Sequence, residues 1–363
     1  MRRVLGFFLW ICLLLLAAGG AAAHYWMTRP LPLREALEVR VRPGMGARDT
    51  VHALIAAGAG RQLQKEDVWL LRHGFFWLAR LYGREWRIRA GTYGVTPGIT
   101  PLGFLDLLKK GKALQVEVRL IEGWTFREWQ RKVTAHPGLE HDAKDLTEQE
   151  LMAEIGFPGV PPEGMFFPDT YYVDKYSGEL ALYRRAAREM RARLEREWQS
   201  RARGLPYRSP YEALIMASIV EKETGRAEER GLVAGVFVNR LAIGMRLQTD
   251  PAVIYGVGAS FDGNLKKSHL LTDTDYNTYT RAGLPPTPIA TPSLASMKAA
   301  LHPEKTNALY FVAKGDGSSF FSETLQAHNQ AVNQYQRRAP RAARTVERRI
   351  AADKKPRRRY KRS

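Results

Sequence analysis

Residues 4–23 form a run of twenty residues without a charge, directly behind Arg2 and Arg3. As a helix, that length crosses the roughly 30 Å of hydrocarbon in a bilayer. The Arg pair ahead of it favours a cytoplasmic N-terminus, with everything after the run outside. The rival reading is a cleaved signal peptide, because Ala21, Ala22 and Ala23 resemble a small-residue cleavage site. Under either reading the body folds outside the cytoplasm. We expect residues 1–3 as a cytoplasmic stub, 4–24 as the anchor and 25–35, with Pro30 and Pro32, as a linker.

The lone cysteine, Cys12, lies inside the apolar run, so the chain can form no internal disulfide and no Cys-based metal site. The eight His show no HExxH spacing. No metal and no cofactor are expected. The formal charge is +19, and residues 337–363 alone hold thirteen basic residues against Glu347 and Asp353, a net +11. That tail is expected to be solvated and disordered. Export and the absence of any nucleic-acid motif argue against a nucleic-acid partner.

Residues 36–42 (ALEVRVR) alternate as a strand does, and Pro43-Gly44 ends them. Helical patterns follow at 48–57, 65–82 and 100–110, and strands at 87–95 and 115–121. Residues 36–123 therefore read as a small α+β module. Residues 124–336 read as a mixed α/β domain. Residues 244–293 are expected to be mostly loop, rich in Asn, Gln, Thr and aromatics, and a loop of that length is functional unless it is disordered.

The second domain is built around residues 209–225, SPYEALIMASIVEKETG. Ser209 suits an N-cap, Pro210 the first helical position, and Glu212 the third residue of a capping box; Gly225 is a natural stop. Leu214, Ala217, Ser218 and Glu221 share one stripe by the i, i+3, i+4, i+7 rule. Glu221 thus continues an apolar face at a helix C-terminus, and both circumstances disfavour its charged form, as a general acid requires. Glu223 lies about 200° around the helix, so the two carboxyls point apart. Taken alone, the helix favours a structural salt bridge or cap at Glu221 over catalysis.

Three loops carry matching chemistry. Gln248, Thr249 and Asp250 supply amide, hydroxyl and carboxyl; Tyr276, Asn277 and Tyr279 interleave amide and aromatic faces; Glu163 and Asp169 flank aromatics. Such groups suit a sugar ring, with its CH-rich faces and hydroxyl rim, although each residue alone also fits a core, cap or turn position. The segments ASIVEKET (217–224), EGMFFPDTY (163–171), RLQTDPAVIYG (246–256), YNTYT (276–280), GLPPTPIATP (283–292) and LHP (301–303) occur together. This set resembles the endolytic murein transglycosylases, the MltG or YceG-like family, over most of residues 36–336.

The resemblance implies a LysM-like module at 36–123 and a YceG-like catalytic domain at 124–336. It implies an inner-membrane protein with a periplasmic catalytic domain, acting on peptidoglycan glycan strands beside peptidoglycan synthases, the penicillin-binding proteins. It puts the family's catalytic glutamate on Glu221, with Gln248, Asp250, Tyr276 and Asn277 positioning sugars. The reaction implied cuts between N-acetylmuramic acid and N-acetylglucosamine and leaves a 1,6-anhydromuramyl end. Two alternatives remain at this level: a non-catalytic peptidoglycan-binding scaffold, and a muramidase-type hydrolase with Asp250 as second carboxylate.

Deleting residues 337–363 is expected to leave turnover of soluble glycan unchanged and to weaken binding to anionic membrane or wall polymer in a salt-dependent way. Sedimentation with anionic vesicles at low and high salt, beside a turnover assay, checks both halves.

Overall fold

The computed structural model describes residues 2–82 and 88–337. The basic tail expected at 337–363 lies outside the described residues apart from Arg337. The chain divides into two compact units: one comprises residues 1–118, 136–142 and 171–179, the other 119–135, 143–170 and 180–363.

The first unit opens with α1 (Arg2–Thr28), which holds a 23-residue span, Gly6–Thr28, long and apolar enough to cross a membrane. An antiparallel pair follows, β1 (Leu37–Val41) on β2 (Gly91–Val95), with Leu37 opposite Val95 and Val41 opposite Gly91. Side chains alternate across a strand, so Leu37, Val39, Val41, Tyr93 and Val95 turn inward together and are buried. Helix α2 (Ala47–Leu54) packs on β1; the short α3 (Gly60–Gln62) and then α4 (Lys65–Tyr82) follow, and α4 packs on α2. Gly58, at φ +129°, makes the kink between α2 and α3. Leu71, Phe75 and Leu78 form the buried stripe of α4 at i, i+4 and i+7.

Helix α5 (Pro101–Lys110) carries its own start and stop signals. Thr100 caps it, accepting from the Gly103 amide at 2.9 Å, and Gly111 ends it in the left-handed conformation. Strand β3 (Gln115–Arg119) pairs with β5 (Thr170–Asp174), and β4 (Leu139–Glu140) runs parallel to β6 (Ser177–Gly178).

The second unit is mainly helical: α6 (Phe126–Thr134), α7 (Glu148–Glu154), α8 (Glu179–Gln199), α9 (Pro210–Glu223), α10 (Arg230–Ala242), α11 (Asp250–Val257), α12 (Lys267–Leu271), α13 (Leu294–Leu301) and α14 (Leu325–Val332). The hairpin of β7 (Tyr310–Ala313) and β8 (Ser319–Ser322) completes it. The expected loop at 244–293 is thus interrupted by α11 and α12. Proline at its second residue starts α11, and burial of Ala252 and Val253 holds it.

At the centre lies α9. Its residues Ala213 to Val220 are all buried, so it has no solvent face between its first and last turns. The single apolar stripe expected of it is replaced by burial all round, against α13, α10 and α11. Its neighbour α10 approaches closely: a Cβ placed on Gly235 would lie 2.5 Å from the Glu304 carbonyl oxygen. Gly235→Ala is therefore expected to destabilise by about 1–3 kcal/mol, since a backbone atom cannot yield as a side-chain end can. A lowered thermal midpoint with unchanged helical circular dichroism at low temperature would bear this out.

Candidate active site

The last turn of α9 divides two carboxyls. Oε2 of Glu221 accepts from the Ser293 amide at 2.9 Å and from the Ser293 and Ser296 hydroxyls at 2.6 Å each. Ser293 is the N-cap of α13, so Glu221 sits at a helix N-terminus, where a negative charge is favoured. The surroundings expected of Glu221, a desolvated carboxyl on an apolar face, are not what it has: its carboxylate ties α9 to α13.

The desolvation belongs to Glu223 instead. It is the final residue of α9 and lines an open cavity of about 720 Å³ with Arg240, Gln248, Asp250, Tyr279 and Tyr310. Its Oε1 accepts from the Thr249 hydroxyl at 2.6 Å. Burial pushes its pKa above the usual carboxylate value, and the charge of Asp250 adds to the rise; the Thr249 hydrogen bond and Arg240 oppose it.

The loop before α11 forms the facing wall. Gln248 adopts φ +51°, in the left-handed region that few residues other than glycine enter. Its amide donates to the Thr278 carbonyl at 3.1 Å, and the Thr249 amide donates to the Thr278 hydroxyl at 3.0 Å. The buried Arg240 guanidinium donates to the Leu247 and Leu309 carbonyls at 2.6 Å each, which fixes the loop from beneath. Tyr279 donates its hydroxyl to Oδ1 of Asp250 at 2.5 Å. A backbone conformation costing about 1–3 kcal/mol, held by its neighbours, is characteristic of functional loops.

Gln248, Asp250 and Tyr279, singled out by sequence, thus line one cavity, and Thr249 holds its carboxyl. The others are placed differently. Asn277 is 1% exposed; its amide nitrogen donates to the His269, Leu270 and Thr272 carbonyls, and its Oδ1 accepts from the Tyr279 amide. These bonds commit its side chain to the shape of the loop. The Tyr276 hydroxyl is paired with Thr287 at 2.8 Å, and its ring packs edge-on to Tyr255. Asp169 is exposed, and its carboxylate accepts from the Thr170 amide at 2.7 Å.

Glu163 is 6% exposed, too deep to meet a polymer from solution. Both its oxygens accept from the Phe126 amide, at 3.1 Å, in the first turn of α6. Burial raises its pKa to about 7, against the smaller opposing effects of the Phe126 amide and the Tyr255 hydroxyl. Sequence reasoning passed over Glu223 and Arg240. The 200° rotation between Glu221 and Glu223 is visible in the sequence, but the side on which a cavity opens is not.

The chain belongs to the YceG-like family, whose model matches residues 41–334. It is 46% identical over 127 residues to an endolytic murein transglycosylase of Bacillus subtilis (strain 168), which is 35% of either chain. It is 26% identical over an alignment of 364 residues to an endolytic murein transglycosylase of Streptococcus pneumoniae (strain D39), covering 90% of this chain and 64% of that one. The chain therefore spans from about a third to just under two thirds of the length of these relatives. A crystal structure of a yceG-like protein from Listeria monocytogenes superposes with a TM-score of 0.50 at 25% identity, over 82% of this chain and 99% of that one.

The Glu163 pKa sets a stability trend. The folded state favours its protonated form, so that contribution is complete below about pH 4.5 and is lost as pH rises to about 7. The loss is on the order of 3 kcal/mol. Glu163→Gln should flatten this limb, which thermal midpoints of the two proteins across that pH range will reveal.

Proposed function

We propose that this chain is an endolytic peptidoglycan lytic transglycosylase with Glu223, not Glu221, as its acid/base. The observation that carries the assignment is the contrast at the end of α9. Glu223 is a cavity carboxyl with a raised pKa, while Glu221 is engaged by three donors from α13. The substrate is the glycan strand, cut between N-acetylmuramic acid and N-acetylglucosamine. Family membership and the names of the relatives support that choice.

In this reading protonated Glu223 delivers its proton to the glycosidic oxygen as the bond to the anomeric carbon breaks. The carboxylate then takes the proton of the muramyl 6-hydroxyl as that oxygen closes on the same carbon, leaving a 1,6-anhydro end. One acid suffices because the nucleophile is already held in the substrate, an advantage in effective molarity. Gln248 and Tyr279 would orient the sugars, and the Asp250 carboxylate would face the positive charge developing on the ring. Asp250 in the same cavity also supports a second reading, a muramidase, in which two carboxylates activate water.

The same proposal reads α1 as an inner-membrane anchor with the body periplasmic, residues 36–123 as a LysM-like module, and peptidoglycan synthases as partners. Its support is the apolar span and the family resemblance.

Glu223→Gln is expected to lower turnover on purified glycan by about 10²–10⁴-fold or more while folding and glycan binding persist. Glu221→Gln is expected to lower the thermal midpoint, at a cost of about 1–3 kcal/mol, and to spare more activity. The opposite pattern would return the role to Glu221. In the mass spectrum, anhydro ends are about 18 Da lighter than hydrolysed ends; reducing ends as the main product would select the muramidase reading.

A further inference from the structure

Helix α4 carries a second apolar stripe beside its buried one. Leu70, Gly74, Trp77 and Leu81 recur at i, i+4, i+7 and i+11, on a face turned roughly 90° from Leu71, Phe75 and Leu78. Trp77 is 61% exposed and Leu81 75% exposed. A soluble surface seldom gathers such side chains without a partner.

The stripe does not stand alone. Together with Ala22, Ala23, Trp26 and Met27 of α1 it lines an open groove of about 500 Å³. The contact is close: a Cβ placed on Gly74 would come within 2.9 Å of the Trp26 ring. The apolar span in α1 covers 23 residues. At 1.5 Å per residue that is about 34 Å, a little more than the roughly 30 Å of hydrocarbon. The end of α1 holding Tyr25 and Trp26 therefore emerges at the level where aromatic side chains anchor helices. Whatever packs on Trp26 shares that depth. Arg29 borders the same groove, at a height where a phosphate would meet it.

We infer that the Leu70–Gly74–Trp77–Leu81 face of α4 is a membrane-docking surface, seated in the interfacial layer of the leaflet from which α1 emerges. Its occupant is lipid, because the surface continues the apolar wall of the span without a break. The inference rests on reading α1 as embedded, and the role of this surface is to hold the first unit against the bilayer.

The test uses the full chain in vesicles of phosphatidylethanolamine and phosphatidylglycerol, with a nitroxide placed on one cysteine at a time. Native Cys12 reports on α1. In a Cys12→Ser background, Trp77→Cys and Leu81→Cys report on the stripe, and Arg42→Cys, just beyond β1 and exposed, reports on solvent. Oxygen concentrates in lipid and a nickel chelate in water. The labels at 12, 77 and 81 should relax more with oxygen than with nickel, and the label at 42 the reverse. If 77 and 81 behave like 42 while Cys12 remains lipid-like, the docking surface is refuted and the anchor stands. Shielding of 77 and 81 from both reagents would mean that a second copy covers them, which also overturns lipid as the occupant. If Cys12 itself meets nickel, α1 is not embedded and the inference fails with it.

Discussion

The second unit depends on the burial of α9. With residues from Ala213 to Val220 packed on every side, the helix cannot rotate or slide without opening the core. Polar contacts reinforce that. The Ser218 hydroxyl returns a bond to the Ile215 carbonyl at 2.7 Å and accepts from the Ile289 amide at 3.0 Å, binding the Pro-rich loop to the helix. A residue at the end of so constrained a rod has its position dictated by the whole domain. That is the rigidity a proton donor needs, since small errors in placement are costly to catalysis.

The two glutamates show what a helix terminus can do with one repeat of chemistry. Glu221 meets a helix N-terminus and becomes a bracket between α9 and α13; Glu223 meets a hydroxyl, a guanidinium and open space. The bracket and the carboxyl are complementary. By tying α13 to the last turn of α9, Glu221 keeps that turn from fraying, and fraying would move Glu223.

Much of the fold was legible where signals are local. Ser209-Pro210, Thr100-Pro101 and Gly111 mark helix ends through groups within three residues of the terminus, and those ends are where the sequence places them. The mixed helix–sheet class followed from alternating segments. Elements fixed by distant partners were not legible. The two-residue strands β4 and β6 exist only through each other, and α11 is too short to show a period. The site divides in the same way. Gln248, Asp250 and Tyr279 stood out by chemistry, but the choice between Glu221 and Glu223 turns on Ser293 and Thr249, 72 and 26 residues away. Burial of Asn277 and Glu163 likewise depends on contacts that no window of sequence contains.

Arg240 reaches the cavity wall with its Nε and Nη1 committed to carbonyl oxygens. Carbonyls hold a guanidinium in place without cancelling its charge, so the positive field persists at Glu223. An acid that has donated its proton must survive as an anion until it is recharged. Burial disfavours that anion, and the fixed neighbouring cation opposes the effect of burial. With Glu223 as the acid proposed above, Arg240 suits the return half of the catalytic cycle, in which the acid is reset rather than spent.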